Sequence, residues 1–201
     1  GPSDRIAVRK NLGIPEASIV IGFVGRICRD KGMHELAEAW RSLKSGHPEL
    51  RLLLVGGMEA KDPIFPEDRI LFETDPDISM PGVTADVPAY MSARDIFVMP
   101  SYREGFGITN IEAAAMGLPV VSTDIPGCVD SVQDGITGTL VPSRDHISLA
   151  RAIRTYMADP ELRSAHGAAG RLRVLREFRP DEIQKGLSLE YRRMLESRNL
   201  I

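Results

Sequence analysis

Two stretches of the sequence combine charged side chains with glycines in a way that suits a phosphorylated, hydroxyl-rich ligand. The first runs from Gly25 to Gly32 and contains Arg26 and Lys31 just before a predicted helix. Unpaired amides at a helix N-terminus favour anions, and an Arg guanidinium binds two oxygens at once. This stretch therefore suits a diphosphate, with a solvated basic turn as the alternative. It is neither a GxGxxG dinucleotide fingerprint nor a P-loop.

The second stretch runs from Pro100 to Glu112. Gly105 and Gly107 allow a tight turn before a predicted helix, so that the amides of residues 106–109 can face a ligand. Glu104 and Glu112 bracket the turn, and carboxylates accept paired hydrogen bonds from vicinal hydroxyls. Eight helical steps would separate them by roughly 12 Å, too far for a glycosidase acid–base pair. An ordinary loop acid and an exposed helix residue remain the alternative.

The elements that must position these stretches alternate between strands and helices. Apolar runs predict strands at Ile19–Gly25, Leu52–Val55, Ile78–Met80, Asp95–Met99, Pro119–Ser122 and Gly138–Val141. Helical spacing predicts helices at Met33–Leu43, Arg69–Thr74, Thr109–Met116, Ile147–Met157, Glu161–Phe178 and Glu182–Arg198. The alternation predicts an α/β fold with a doubly wound, Rossmann-like parallel sheet and C-terminal helices. Ligands of such sheets bind beyond the carboxyl ends of the strands, where both stretches lie.

The composition is that of an ordinary soluble globule. The 201 residues are 43% hydrophobic and 26% charged, and 25 basic against 28 acidic residues give a net charge of −3. This balance gives no electrostatic basis for general nucleic-acid binding. Cys28 and Cys128 form no disulfide framework, and no Cys/His spacing indicates zinc. Without a secretory signal or a long apolar run, we expect a cytoplasmic location.

The charged stretches together resemble a known family. Glu104 and Glu112, in the setting Pro-Ser-Tyr-Arg-Glu-Gly-Phe-Gly-Ile-Thr-Asn-Ile-Glu-Ala, resemble the EX7E motif of retaining family 4 (group 1) glycosyltransferases with the GT-B fold. Gly-Arg-Ile-Cys-Arg-Asp-Lys-Gly resembles that family's phosphate-binding turn. Gly-Leu-Pro-Val-Val from Gly117 and Asp-Gly-Ile-Thr-Gly from Asp134 are similar to its usual continuation. The resemblance extends from about Ile19 to Phe178.

The resemblance implies a role for each charged residue of the two stretches. Arg26 and Lys31 would hold the nucleotide diphosphate, and Glu104 would contact the donor sugar. These three would be the catalytic residues: Arg26 and Lys31 because fixed positive charge stabilises a diphosphate leaving group, and Glu104 through its contact with the donor sugar. Glu112 would bind the ribose hydroxyls.

The resemblance also assigns backbone contacts to the donor nucleotide sugar. In the glycine turn, the residues concerned are Gly105, Phe106, Gly107, Ile108 and Thr109. The nucleobase would lie along Gly82–Thr84, where Val83 and Thr84 are the expected contacts. The family uses no metal and no cofactor for the transfer; the nucleotide sugar is a substrate.

The resemblance implies one half of a two-domain enzyme. We interpret residues 1–3 as an expression-tag scar and residues 4–180 as a Rossmann-like nucleotide-sugar-binding domain. Residues 181–201 are predicted to form a C-terminal helix that packs either on an absent N-terminal, acceptor-binding domain or on its own domain. We expect the isolated domain to bind a donor weakly and to transfer nothing.

We expect a UDP-sugar donor rather than a GDP-sugar donor, and a role in bacterial surface-polysaccharide synthesis. The implied acceptor is a lipid-linked glycan, which would place the full-length protein peripherally at the inner face of the plasma membrane. Two alternatives remain open: a non-catalytic nucleotide-sugar-binding module, and a sugar-nucleotide epimerase or phosphorylase of the same architecture.

Overall fold

A six-stranded, all-parallel sheet forms the centre of the structure, a computed structural model that describes residues 2–178, 189 and 191–196. The strand order is β3-β2-β1-β4-β5-β6. The strands are β1 (Ile19–Val24), β2 (Leu50–Val55), β3 (Ile78–Gly82), β4 (Ile96–Met99), β5 (Val120–Thr123) and β6 (Gly138–Val141). The predicted doubly wound sheet is therefore confirmed.

Helices cover both faces of the sheet. They are α1 (Pro2–Asn11), α2 (Met33–Lys44), α3 (Pro66–Thr74), α4 (Val87–Ser92), α5 (Ile108–Ala115), α6 (Cys128–Ser131), α7 (His146–Ala158) and α8 (Pro160–Glu177). Helix α2 packs on α7, α5 on α8, and α1 on α4. The larger core cluster contains Trp40, Phe97 and Tyr156, and a smaller one contains Val8 and Leu53. Burial on both faces explains why the strands are continuous apolar runs.

The order of the strands reverses between β1 and β4, which are neighbours in the sheet but distant in sequence. In register, Ile21 of β1 lies opposite Leu52 of β2 on one side and Ile96 of β4 on the other. Such a reversal is the topological switch point at which ligands of open α/β sheets bind. The loops that leave the carboxyl ends of β1 and β4 are the two charged stretches, so the topology brings them together.

Three short helices were not predicted. Helix α1 begins at Pro2, within the residues that we interpreted as a tag scar. Ion pairs of Arg5 and Arg9 with Asp95, at 2.6 and 2.7 Å, anchor this helix to the domain. Helices α4 and α6 have six and four residues, too few for a periodic pattern. The predicted helix over 182–198 lies mostly outside the described residues, of which 189 and 191–196 are helical.

Several predicted bounds were wrong by one to three residues. Helix α3 begins at Pro66 rather than Arg69, because proline suits the first helical position. Strand β4 begins at Ile96 rather than Asp95, whose carboxylate accepts a hydrogen bond from the amide of Val20 at 2.8 Å. Helix α7 begins one residue before the predicted Ile147, and Asp145 caps it by accepting a hydrogen bond from the amide of Ser148 at 2.9 Å.

Candidate active site at the switch point

The centre of the candidate site is an ion pair between the two charged stretches. Lys31 Nζ lies 2.5 Å from Glu104 Oε1, and the side chains are only 16% and 14% exposed. The hydroxyl of Ser101 donates to the same carboxylate oxygen at 2.8 Å. Thr123 in turn donates to the Ser101 carbonyl at 2.6 Å. Glu104 is therefore held from both sides before any ligand arrives.

The turn after Glu104 is built around Gly107, which caps α5 with a φ of 62°. A Cβ at this position would lie 2.7 Å from Ser131 Oγ and 2.9 Å from Asn110 Nδ2. Only glycine fits such a close approach in the left-handed region. The first amides of α5, at Ile108 and Thr109, have no acceptor within the helix and are available to a ligand.

Gly127 closes the other side of the same turn. Its φ is 86°, and a Cβ would lie 2.7 Å from the Glu104 carbonyl and 2.8 Å from the Gly105 carbonyl. Phe106 stays exposed at the rim and packs edge-to-face on Phe178, with ring centroids 5.9 Å apart. The turn is thus rigid at its backbone and open on its ligand side.

Arg26 is oriented differently from the prediction that it joins Lys31. Its guanidinium pairs with Glu59, from the loop after β2, at 3.2 Å, and its side chain is 65% exposed. The hydrogen bond to Glu59 raises the pKa of Arg26, so it remains a cation. An exposed pair of this kind is weak because water screens it, so a diphosphate can recruit Arg26 from it.

Glu112 lies apart from the ion pair, on the outer surface of α5. It lines a cavity of about 250 Å³ between α4 and α5, whose other residues are Val87, Pro88, Met91, Ala115 and Met116. Neither Arg26 nor Lys31 lines this cavity. In the described structure, Glu112 makes no ion pair, so both carboxylate oxygens are free to accept hydrogen bonds.

Val83 and Thr84 connect β3 to α4, beside the loop that follows β2. The Val83 side chain is 82% exposed, and Thr84 Oγ1 accepts a hydrogen bond from the Asp86 amide at 3.1 Å. A Cβ on Gly57 would lie 3.3 Å from Val83 Cγ2. The predicted nucleobase segment therefore precedes helix α4, and Glu112 faces the same helix across the cavity.

Sequence reasoning missed Ser101, Glu59 and Gly127. Ser101 and Glu59 follow β4 and β2 closely, so the rule that ligands bind beyond strand ends would have found them. Nothing in the sequence signals Gly127, because its partners lie more than twenty positions away.

One cluster among the described side chains has the composition of a metal site. Single ligand atoms of His34, Glu38 and Asp68 lie within 4.8 Å of one another. Arg41 already donates to Glu38 at 2.5 Å and to Asp68 at 3.1 Å, so a guanidinium balances the carboxylates there. Burial opposes protonation of His34, but its hydrogen bond to Asp68 and the negative charges of Asp68, Glu35 and Glu38 together outweigh burial and raise the pKa of the imidazole.

Comparisons with known proteins agree with this fold and site. Residues 4–173 match the family model of the glycosyl transferases group 1. A capsular polysaccharide biosynthesis glycosyltransferase, CapM of Staphylococcus aureus, is 34% identical over 178 residues, which are 89% of this chain and 47% of CapM. A D-inositol 3-phosphate glycosyltransferase of Geodermatophilus obscurus is 37% identical over 174 residues, 82% of this chain and 39% of that protein.

Solved structures show the same architecture. HepE of Anabaena, determined in complex with UDP, superposes with a TM-score of 0.83 at 26% identity over 94% of this chain and 53% of HepE. The C-terminal domain of LpcC, a group 1 glycosyl transferase of Francisella tularensis, superposes with a TM-score of 0.77 at 26% identity, over 88% of this chain and 93% of that domain.

The fold and the site thus define a Rossmann-like α/β domain of the GT-B glycosyltransferase type. The chain belongs to the glycosyl transferases group 1. It spans about half or less of the length of the curated relatives it matches. Among the helices that the structure describes, none combines the length and apolarity needed to cross a bilayer.

Proposed function

We propose that this chain is the donor-binding half of a retaining glycosyltransferase that takes a sugar from a UDP-sugar. The observation that carries the proposal is the contact between Lys31 and Glu104 at the sheet's switch point, beside the N-terminus of α5. It joins a phosphate-binding cation and a hydroxyl-binding carboxylate in one place.

Each group of this pair keeps capacity for a ligand. The Lys31 ammonium has three donors, of which Glu104 takes one, so the others can bind phosphate oxygens. Glu104 Oε1 accepts from Lys31 and Ser101, which leaves Oε2 for a sugar hydroxyl. The pair can therefore hold the diphosphate and the sugar of one donor at once.

The transfer breaks the bond between the sugar and the diphosphate, and negative charge grows on the leaving group. Fixed cations and helix amides at that position lower the barrier because they need no reorganisation. Lys31 and the amides of Ile108 and Thr109 supply them in place, and Arg26 adds a further cation once it leaves Glu59. Glu112 would accept hydrogen bonds from the ribose, with the base lying along Val83 and Thr84.

A UDP-sugar is the proposed donor because of the structural neighbours. HepE was determined in complex with UDP and with UDP-glucose, and the second complex superposes with a TM-score of 0.82 at 26% identity. The similarity to CapM, a capsular polysaccharide biosynthesis glycosyltransferase, favours surface-polysaccharide synthesis. A lipid-linked acceptor and a location at the inner face of the plasma membrane are part of the proposal on the family resemblance alone. An N-terminal domain would bind that acceptor, so we expect this chain alone to transfer nothing.

Calorimetry with UDP, GDP and ADP tests the proposal. We expect UDP to bind most tightly, and Glu112→Ala and Arg26→Ala to weaken UDP binding about tenfold, the loss of about 1.4 kcal/mol. Arg154→Ala is the matched control, because Arg154 is exposed on α7 and lines a different cavity, between α2 and α7. Equal UDP binding by all four proteins would refute the site, and sugar transfer by this chain alone would refute its expected inactivity.

A further inference from the structure

A polar cavity lies on the α2 side of the loop that carries Glu104. Its volume is about 400 Å³, within the range of about 300–1,000 Å³ that is typical of small-molecule sites. Tyr102, two residues before Glu104, lines this cavity, whereas Glu104 does not. Arg29 and Asp30, from the Gly25–Gly32 stretch, also line it. The cavity therefore adjoins the proposed donor site through both charged stretches but is distinct from it, because Arg26, Lys31 and Glu104 do not line it.

Arg144 lines this cavity with a strained backbone. Its φ is 63°, and it is the one non-glycine residue with a positive φ in the part of the chain that the structure describes. Holding an ordinary residue in the left-handed region is unfavourable; such outliers persist where the surrounding structure enforces them, and they cluster at functional sites. The Arg144 guanidinium stacks 3.9 Å from the centre of the Tyr102 ring. Within the described chain its N–H groups have no hydrogen-bond acceptor.

Two carboxylates that line the same cavity, Glu35 and Asp30, can accept hydrogen bonds. The Tyr102 hydroxyl donates to Glu35 Oε2 at 2.5 Å, and Glu35 is 7% exposed. Burial and this hydrogen bond raise the pKa of Tyr102, so the phenol stays a donor. Glu35 makes no ion pair among the described residues, and its Oε1 is left to accept. Asp30 binds Arg103 through Oδ2 and keeps Oδ1 free.

The charges and ring faces of the cavity select a class of ligand. Each charged side chain of the lining has a counter-charge: Arg29 pairs with Asp62, Asp30 with Arg103 and His34 with Asp68, while Arg144 and Glu35 balance each other. The lining therefore has no net excess of charge that would draw a simple anion or cation. It offers instead donors and acceptors side by side, which is what neighbouring hydroxyl groups require. The half-exposed ring of Phe65 adds an apolar wall.

We propose that this cavity binds a neutral saccharide unit, at a site separate from the donor site. The Arg144 guanidinium would donate to ring hydroxyls, and Glu35 and Asp30 would accept from them. Because the Tyr102 amide donates to the Asp30 carbonyl at 2.8 Å, a sugar bound here would also steady the loop that carries Glu104.

Amide chemical-shift mapping of the whole chain, saturated with UDP, tests this proposal. The probes are methyl glucoside, methyl galactoside, N-acetylglucosamine and maltose, at concentrations up to about 50 mM. We expect at least one of them to shift amides of residues 29–35, 102 and 143–145. Arg144→Gly should weaken this binding at least tenfold, whereas Arg154→Ala should not.

Arg144→Gly is informative because glycine accepts a positive φ, so its melting temperature should equal or exceed that of the parent. Glu35→Gln should also weaken sugar binding, since it removes the charged acceptor. The proposal is overturned if no probe shifts these amides or if Arg144→Gly binds the sugar like the parent. UDP calorimetry on the same variants tests the donor site independently.

Discussion

Lys31 Nζ and Glu104 Oε1 lie 2.5 Å apart although 73 positions separate the residues in the sequence. The two loops that carry them leave neighbouring strands, β1 and β4, at the point where the strand order reverses. Both side chains are largely shielded from water, so their attraction is stronger than that of an exposed pair. The cation is therefore positioned before a diphosphate arrives.

Lys31→Met should lower both the stability of the protein and its affinity for UDP. It leaves the Glu104 carboxylate without its cation, and we expect the free energy of unfolding to fall by about 2 kcal/mol, the range for a hydrogen bond to a charged group. UDP affinity should fall by about tenfold to a hundredfold for the same reason. Urea unfolding and calorimetry measure the two effects.

The double variant Lys31→Met/Glu104→Gln separates the two effects. Without the buried charge of Glu104, stability should return toward that of the parent, but UDP binding should stay weak because the phosphate-binding cation is absent. Recovery of UDP binding in the double variant would show that Lys31 acts only through the position of Glu104.

Gly107→Ala should destabilise the protein by about 2 kcal/mol, because alanine is unfavourable in the left-handed region and its Cβ would approach Ser131 Oγ to 2.7 Å. Gly105→Ala is a matched control in the same turn: a Cβ there meets nothing within 4 Å, so its effect should stay within about 0.5 kcal/mol. Thermal denaturation of the two variants measures the difference. Similar melting temperatures would contradict the tight packing of the turn.

Gly22 and Arg94 should be energetically coupled. Arg94 crosses β1 directly over Gly22, where a Cβ would lie 1.8 Å from Arg94 Cδ. Burial lowers the pKa of Arg94 to about 9, which leaves it charged at neutral pH, and it donates to the Phe23 carbonyl at 3.1 Å. Gly22→Ala must displace this buried side chain, and we expect a loss of about 2–3 kcal/mol.

A double-mutant cycle with Arg94→Ala measures that coupling. Truncation of Arg94 leaves room for the new methyl group, so Gly22→Ala/Arg94→Ala should be more stable than the sum of the single effects by about 1–3 kcal/mol. Strict additivity would mean that the two residues do not compete for the same space.

His166 should make stability depend on pH. Burial lowers the pKa of His166, which lies 2.7 Å from the Tyr156 hydroxyl through Nδ1. Below the unfolded pKa of about 6.5, the unfolded chain therefore takes up a proton before the folded chain does. The free energy of unfolding should therefore fall as the pH decreases below about 6.5, until the pH passes the pKa of His166 in the folded protein.

Urea unfolding of the parent and of His166→Gln, at roughly pH 7.5 and 5.5, tests this expectation. The parent should lose more stability between the two values than the variant does. Other groups titrate equally in both proteins, including His34, whose raised pKa acts in the opposite direction. An identical loss in both proteins would exclude His166 as the cause.

The sequence alone determined the class of fold and the two charged stretches. Buried parallel strands are continuous apolar runs, so β1 and β2 were recognisable without the structure. The glycine turn between Glu104 and Glu112 was also recognisable, because it depends on residues that are close together in the chain. The family resemblance rested on these local patterns, and the match to residues 4–173 confirmed it.

Only the tertiary structure decided where the charged side chains point. It paired Lys31 with Glu104, turned Arg26 toward Glu59, and placed Arg94 over Gly22. It also formed helix α1, whose Arg9 depends on Asp95, 86 positions away. The direction of a long charged side chain depends on partners that the folded topology brings near, and spacing along the chain carries no information about them.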